Sequence, residues 1–279
     1  MAKETESSTN NNGAEMSFMD HLEALRWHLV RSAIAICVLG VGLFFMKELV
    51  FDTIILGPKH TDFWTYRMLC KIGKLVGAEQ EMCITKIPFT LINTDLSGQF
   101  TMHMWIAFVG GLIVAFPYVL WEIWLFIKPA LSENERSKTR GFVFFASILF
   151  MTGVLFSYYM IVPMTINFLG SYQISTEIAN TITMDSYIST VTTLTLATGL
   201  VFELPIIIYF LTRFGIVSPA FMRKHRRHAI VVILIVGAVI TPSPDVSSQL
   251  MVSIPLYVLF EISIFVSMYV EYQKARAKS

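Results

Sequence analysis

Glu203 is the residue of this chain that most needs a chemical explanation. It stands near the middle of Val191–Leu211, an apolar run with Pro205 two residues further on. About 20 helical residues cross a hydrocarbon core of ~30 Å, which puts this carboxyl near the midplane. An acid there costs ~2.5–3.5 kcal/mol on insertion scales. Phe142–Val162, by comparison, carries none. So costly a residue is expected to meet something inside the membrane, either another helix of the bundle or a helix from another protein. In its neutral form it can donate a hydrogen bond as well as accept one.

The other candidates are weaker taken alone. Glu135 lies beside Arg136 and Lys138 and reads as a solvated loop charge. Glu23 precedes an apolar segment, where acids serve the helix dipole, and Arg26 anchors that segment at the interface. Asp245 follows Pro242 and Pro244 at a membrane boundary, placed to cap the next helix or to tie loops together. Glu122 and Glu261 read as interfacial or snorkelling acids. His225 and His228 are three apart, but a metal needs further ligands and none is near, so no metal or cofactor is expected. No glycine-flanked serine, metal-binding histidine pair or phosphate-cradling loop appears, which argues against an enzyme. A proton-coupled transporter with Glu203 as relay is the alternative. A relay would want a second charge at that depth and repeated halves, and neither is visible.

The elements that must position these residues are membrane helices. Of 279 residues, 54% are hydrophobic and 15% charged, with net charge +1. There is no basic stripe for nucleic acid. The expected fold is all-α and polytopic, with six spans near 29–46, 104–127, 142–162, 191–211, 229–240 and 250–270. Spans five and six are short. Residues 1–17, rich in Ser, Thr, Asn and Glu, read as a disordered tail and not as a signal peptide. Residues 18–272 form the membrane domain and 273–279 a basic tail.

Lys and Arg set the orientation. Arg26, Arg31, Lys128, Arg136, Lys138, Arg140, Arg213, Arg223–Arg227 and Lys274–Lys278 fall on one side, and the two shorter opposite loops have none. Both termini are therefore expected in the cytoplasm. Pro117, Pro205 and Pro255 recur in the spans that run inward and should bend them. The long outer loop, about 51–100, holds Pro58, an aromatic cluster and both Cys70 and Cys83. Short helices lying on the membrane surface are expected there. The two cysteines either form a disulfide or remain as buried thiols.

Several short motifs occur in a fixed order along this frame. They are His21-Leu22-Glu23-Ala24-Leu25-Arg26, Phe126-Ile127-Lys128-Pro129-Ala130-Leu131 followed by Glu133–Arg136, Phe202-Glu203-Leu204-Pro205, Thr241–Asp245, and Gln249 through Phe260-Glu261. In that order, over about residues 18–272, the chain closely resembles the TatC family, the receptor subunit of the twin-arginine protein translocase. The resemblance implies a concave, glove-like bundle in a bacterial inner membrane, working within an oligomeric complex and driven by the proton-motive force. It implies that twin-arginine signal peptides dock on Glu23, Arg26, Phe126, Leu131 and Glu135, where carboxylates can take guanidinium groups bidentately. It implies that Glu203, Pro205 and Gln249 meet the single helices of TatA- and TatB-like partners, with Pro58 and Asp245 as structural loop residues. One departure stands out: the family's acidic position in the N-terminal motif is occupied here by Ala24, with Glu23 its neighbour.

Overall fold

The computed structural model describes residues 18–77, 83, 84, 87, 89–128, 141–173, 175, 180–241 and 246–278. The tail 1–17 and the positions of Leu131, Glu135 and Asp245 lie outside them.

Helix α1 (Phe18–Phe45) is followed by a π-helical segment (Glu48–Ile55), a 3-10 turn (Gly57–Lys59) and helix α2 (Trp64–Val76). Strand β1 (Thr90–Ile92) leads into α3 (Gly98–Ile127). The third span is α4 (Phe142–Phe156), a π-helical turn (Ser157–Ile161) and α5 (Val162–Ser171). Strand β2 (Thr181–Thr183) precedes α6 (Met184–Val201) and α7 (Leu204–Arg213), the two halves of the fourth span. The short α8 (Pro219–Lys224), then α9 (Arg226–Ile240) and α10 (Val246–Lys278), complete the chain.

Among the described residues, five stretches are long and apolar enough to cross a membrane: Leu22–Phe45, Gly98–Ile127, Val143–Ser171, Met184–Arg213 and Val252–Arg276. With α9 they make six passes. The 15 residues of α9 reach only about 22 Å, as its short apolar run suggested. Span six differs from expectation. It was read as short from its apolar part, yet α10 is continuous over 33 residues. Good helix formers, Glu271 to Lys278, carry it past the apolar zone, so the basic end continues this helix. The structure also adds a small exception to an all-helical fold. Strands β1 and β2 pair in parallel, Thr90 opposite Thr181 and Ile92 opposite Thr183, joining two loops on the side away from the chain ends.

Small residues decide how closely the helices pack. Near the crossing of α1 and α3, a Cβ on Gly111 would stand 2.7 Å from the Gly40 nitrogen and 2.7 Å from the Ile36 carbonyl oxygen. Gly153 and Gly199 do the same for α4 and α6, with Phe202 packed over Gly153. Such approaches let dispersion hold helices together where lipid offers no hydrophobic contrast. The central core combines Ile161, Val162, Ile188, Val191 and Leu194 with Val252 and Leu256, all buried. A second cluster stacks Phe116 on Phe150 with ring centroids 3.5 Å apart.

Three tyrosines fix the first loop over the bundle. Tyr158 and Tyr187 donate to the carbonyls of Ile54 and Ile55 at 2.8 and 2.9 Å. The buried hydroxyl of Tyr66 lies 2.9 Å from the carbonyl oxygens of both Pro58 and Pro163. Burial raises the pKa of Tyr66, so it remains a donor across the working range. Pro58 is itself buried beside this arrangement.

Candidate functional site

The fourth span breaks where the sequence places Glu203. Helix α6 ends at Val201 and α7 begins at Leu204, with Pro205 in its first turn. Proline lacks the N–H that would continue the ladder and crowds the preceding turn, so the helix restarts there. Glu203 holds the junction. Its N–H donates to Leu200 at 3.1 Å, and its carbonyl accepts from Ile206 and Ile207 at 3.0 Å. The side chain is 7% exposed, and its Oε1 has no hydrogen-bond partner among the described residues. At that exposure it is not turned to bulk lipid, and it forms no ion pair among the described residues. Pro205 and Ile206, just beyond it, line a groove of about 1050 Å³ between α4, α7 and α10, with Phe145, Leu149, Leu259 and Val266 among its walls. Glu203 does not itself line the groove.

Gln249, at the start of the last span, has an internal partner. Its Nε2 donates to the Leu234 carbonyl of α9 at 2.9 Å, where Gly237 leaves room for α10. A contact with another protein would have to use the rest of its amide. Toward the other end of the same helix pair, Arg226 donates to Glu261 at 2.7 Å and Tyr257 donates to Glu261 at 3.1 Å. Glu261 is thus an ion-pair partner and not a snorkelling acid.

At the end of the bundle where the chain begins, Glu23 and Arg26 are both exposed on a regular stretch of α1, with Arg26 beside the ring of Trp27. Ala24 is half-buried, so the helix turns Glu23 away from the position Ala24 holds. Phe126, near the end of α3, is half-buried with its ring edge toward His28, centroids 6.2 Å apart. Leu131, Glu135 and Asp245 belong to the undescribed stretches.

The sequence reading missed what joins α1 to α3 here. Glu122 is 3% exposed, buried between helices. Its Oε2 lies 2.6 Å from Nδ1 of His28, and its Oε1 accepts from Tyr118 at 2.7 Å. Tyr118 and Glu122 stand four apart on one helix face, and that spacing was the available signal. On the opposite side of the molecule, Cys70 and Cys83 form a disulfide with Cα atoms 4.3 Å apart. No group of three or more His, Cys, Asp or Glu side chains able to hold a metal occurs among the described residues.

Residues 20–255 match the family model described as Sec-independent protein translocase protein (TatC). A TatC from Blattabacterium sp. subsp. Periplaneta americana is 39% identical over 265 residues, which is 95% of this chain and 99% of that protein. A Helicobacter pylori TatC is 41% identical over 247 residues, covering 88% of this chain and 87% of that protein. A crystal structure of the twin-arginine translocase receptor TatC superimposes with a TM-score of 0.68 at 30% identity, over 90% of this chain and 99% of that one. Each of these names describes a translocase subunit or receptor rather than an enzyme. The six-pass helical bundle, broken at an acid in its fourth span, therefore belongs to the TatC family of Sec-independent protein translocase proteins.

Proposed function

We propose that this protein is the signal-peptide receptor of a bacterial twin-arginine translocase and the platform on which its partner subunits assemble. The distribution of Lys and Arg supports an inner-membrane orientation with both termini in the cytoplasm. On that face the signal peptide docks on Glu23, Arg26, Phe126, Leu131 and Glu135, with the carboxylates of Glu135 and Glu23 taking its two arginines in fork geometry. Glu203, Pro205 and Gln249 meet the transmembrane helices of TatA- and TatB-like proteins. The observation that carries this reading is the buried Glu203 carboxyl with an unused oxygen, at a helix break beside an apolar groove. A polar group with spare hydrogen-bonding capacity in a dry setting offers an incoming helix ~0.6–2 kcal/mol.

Purified protein should retain a signal peptide bearing Arg-Arg far better than one bearing Lys-Lys, and Glu135→Ala should weaken retention about tenfold, the loss of one charge-assisted pair. Equal retention of the two peptides would remove the receptor reading. Glu203→Ala should lower co-purification of TatA- and TatB-like partners about 3- to 30-fold, the equivalent of that one hydrogen bond. Wild-type recovery of partners would make Glu203 a packing residue of the bundle.

A further inference from the structure

Helix α2 divides into three sectors at about 100° per residue. Thr65, Tyr66, Leu69, Cys70 and Gly73 face the protein, where they are buried or half-buried. Thr65 donates to the Tyr159 carbonyl, Tyr66 is anchored as described above, and Cys70 is bonded to Cys83. Trp64, Met68, Ile72 and Leu75 follow one another along a second sector within about 80° of arc. All four are exposed, Leu75 by 86%. Arg67, Lys71 and Lys74 fill the third sector, on one flank of that stripe, and the helix contains no acidic residue. Gly77, with φ of 78°, ends the helix where the stripe ends.

The level of this helix is set by the span against which it packs. The ring of Trp64 meets Tyr159, centroids 5.7 Å apart, and Phe63 stacks on the same tyrosine. Tyr159 lies 16 residues along the third span from Val143, or about 24 Å, close to the edge of a ~30 Å hydrocarbon core. Aromatic residues gather at that depth in membrane proteins. The Trp64 end of the stripe is therefore held at the interface, not out in water.

The geometry points to α2 as an interfacial helix that lays Trp64, Met68, Ile72 and Leu75 into the leaflet away from the chain ends and binds the phosphates of anionic lipids through Arg67 and Lys71. A protein occupant fits less well. A basic flank with no acid among it complements a phosphate surface, and the apolar stripe beside it is exposed at Trp64, Met68, Ile72 and Leu75. The anchors at Tyr66 and Cys70 lie across the helix from the stripe and fix its roll, so the apolar sector cannot turn inward.

The test uses the full chain, purified alone, with Leu75→Cys labelled by a nitrobenzoxadiazole dye in a Cys37→Ala background. Cys37 is the free cysteine of the described residues, and the disulfide leaves Cys70 and Cys83 unreactive. The protein is reconstituted into vesicles of phosphatidylcholine, with and without phosphatidylglycerol. Lipids brominated on the acyl chain should quench the dye, iodide in the buffer should not, and phosphatidylglycerol should raise bromolipid quenching about twofold. Arg67→Gln with Lys71→Gln should abolish that rise while the thermal unfolding temperature stays unchanged. A dye reached by iodide, one shielded from both quenchers as under a second copy or partner, or quenching equal in the two vesicle types would each overturn the assignment.

Discussion

With alanine in place of Glu122, α1 should lose its hold on α3 at the end where the chain begins. The substitution removes the acceptor of two hydrogen bonds at once, 2.6 Å to His28 and 2.7 Å to Tyr118. A hydrogen bond to a charged group contributes ~1.5–3 kcal/mol. Glu122 is buried, but His28 is only half-buried and Tyr118 is exposed, so the joint loss is about 2–4 kcal/mol, short of the simple sum. Thermal unfolding in detergent measures it. Glu122→Gln keeps the shape and a carbonyl acceptor and should lose about half as much. The loss should also appear in signal-peptide retention, because Glu23 and Arg26 ride on the turns of α1 just before His28. If alanine unfolded at the wild-type temperature, the contact would be incidental.

A second large effect is expected from Gly111→Val. The atoms that a Cβ would meet at 2.7–2.8 Å are the backbone of Gly40 and the Ile36 carbonyl, and a backbone cannot swing aside like a side chain. Helices α1 and α3 would have to separate along their crossing. Overpacking of this kind costs ~1–3 kcal/mol and more where nothing can yield. Valine here should reach or pass the upper figure, and the protein should fail to accumulate in the membrane or should unfold at much lower temperature. Gly42 supplies the internal control. Its Cβ position has nothing within 4 Å, so Gly42→Val should leave accumulation unchanged. If both variants accumulated normally, close approach at Gly111 would not matter to folding.

What the sequence showed and concealed follows from the range of the interactions. Spans announce themselves because each must be apolar over ~30 Å whatever it packs against. Pro205 announced a bend because its effect is confined to its own turn, and the helix is interrupted there, whereas Pro117 and Pro255 stay inside continuous helices. Short α9 was legible from the distance between His228 and Asp245, with Pro242 and Pro244 inside it. Glu122 was not, because half of its explanation lies 94 residues away on α1. Glu261 and Arg226, 35 residues apart, were missed for the same reason. The pairing of β1 with β2 rests on two three-residue strands with no pattern of their own, and only the folded chain brings Thr90 to Thr181. The resemblance put Gln249 against partner helices; its internal bond could not be read, because it depends on Gly237 allowing α10 close to α9.

The contacts of Glu122 and Glu261 share a plan: in each, a tyrosine four residues earlier on the same helix and a base from the neighbouring helix converge on one acid. Each lies toward the open end of a helical hairpin whose other end is already joined by chain. The α1–α3 and α9–α10 pairs are thereby shut at both ends, like tweezers with a clip, and should travel as stiff arms. Bending is then left to the junction of α6 and α7, where the ladder is interrupted and Glu203 stands. Any widening of the groove beside it would swing α7 and α10 together, since Thr212 and Ser267 bond at 2.8 Å and Lys274 donates to the Thr212 carbonyl.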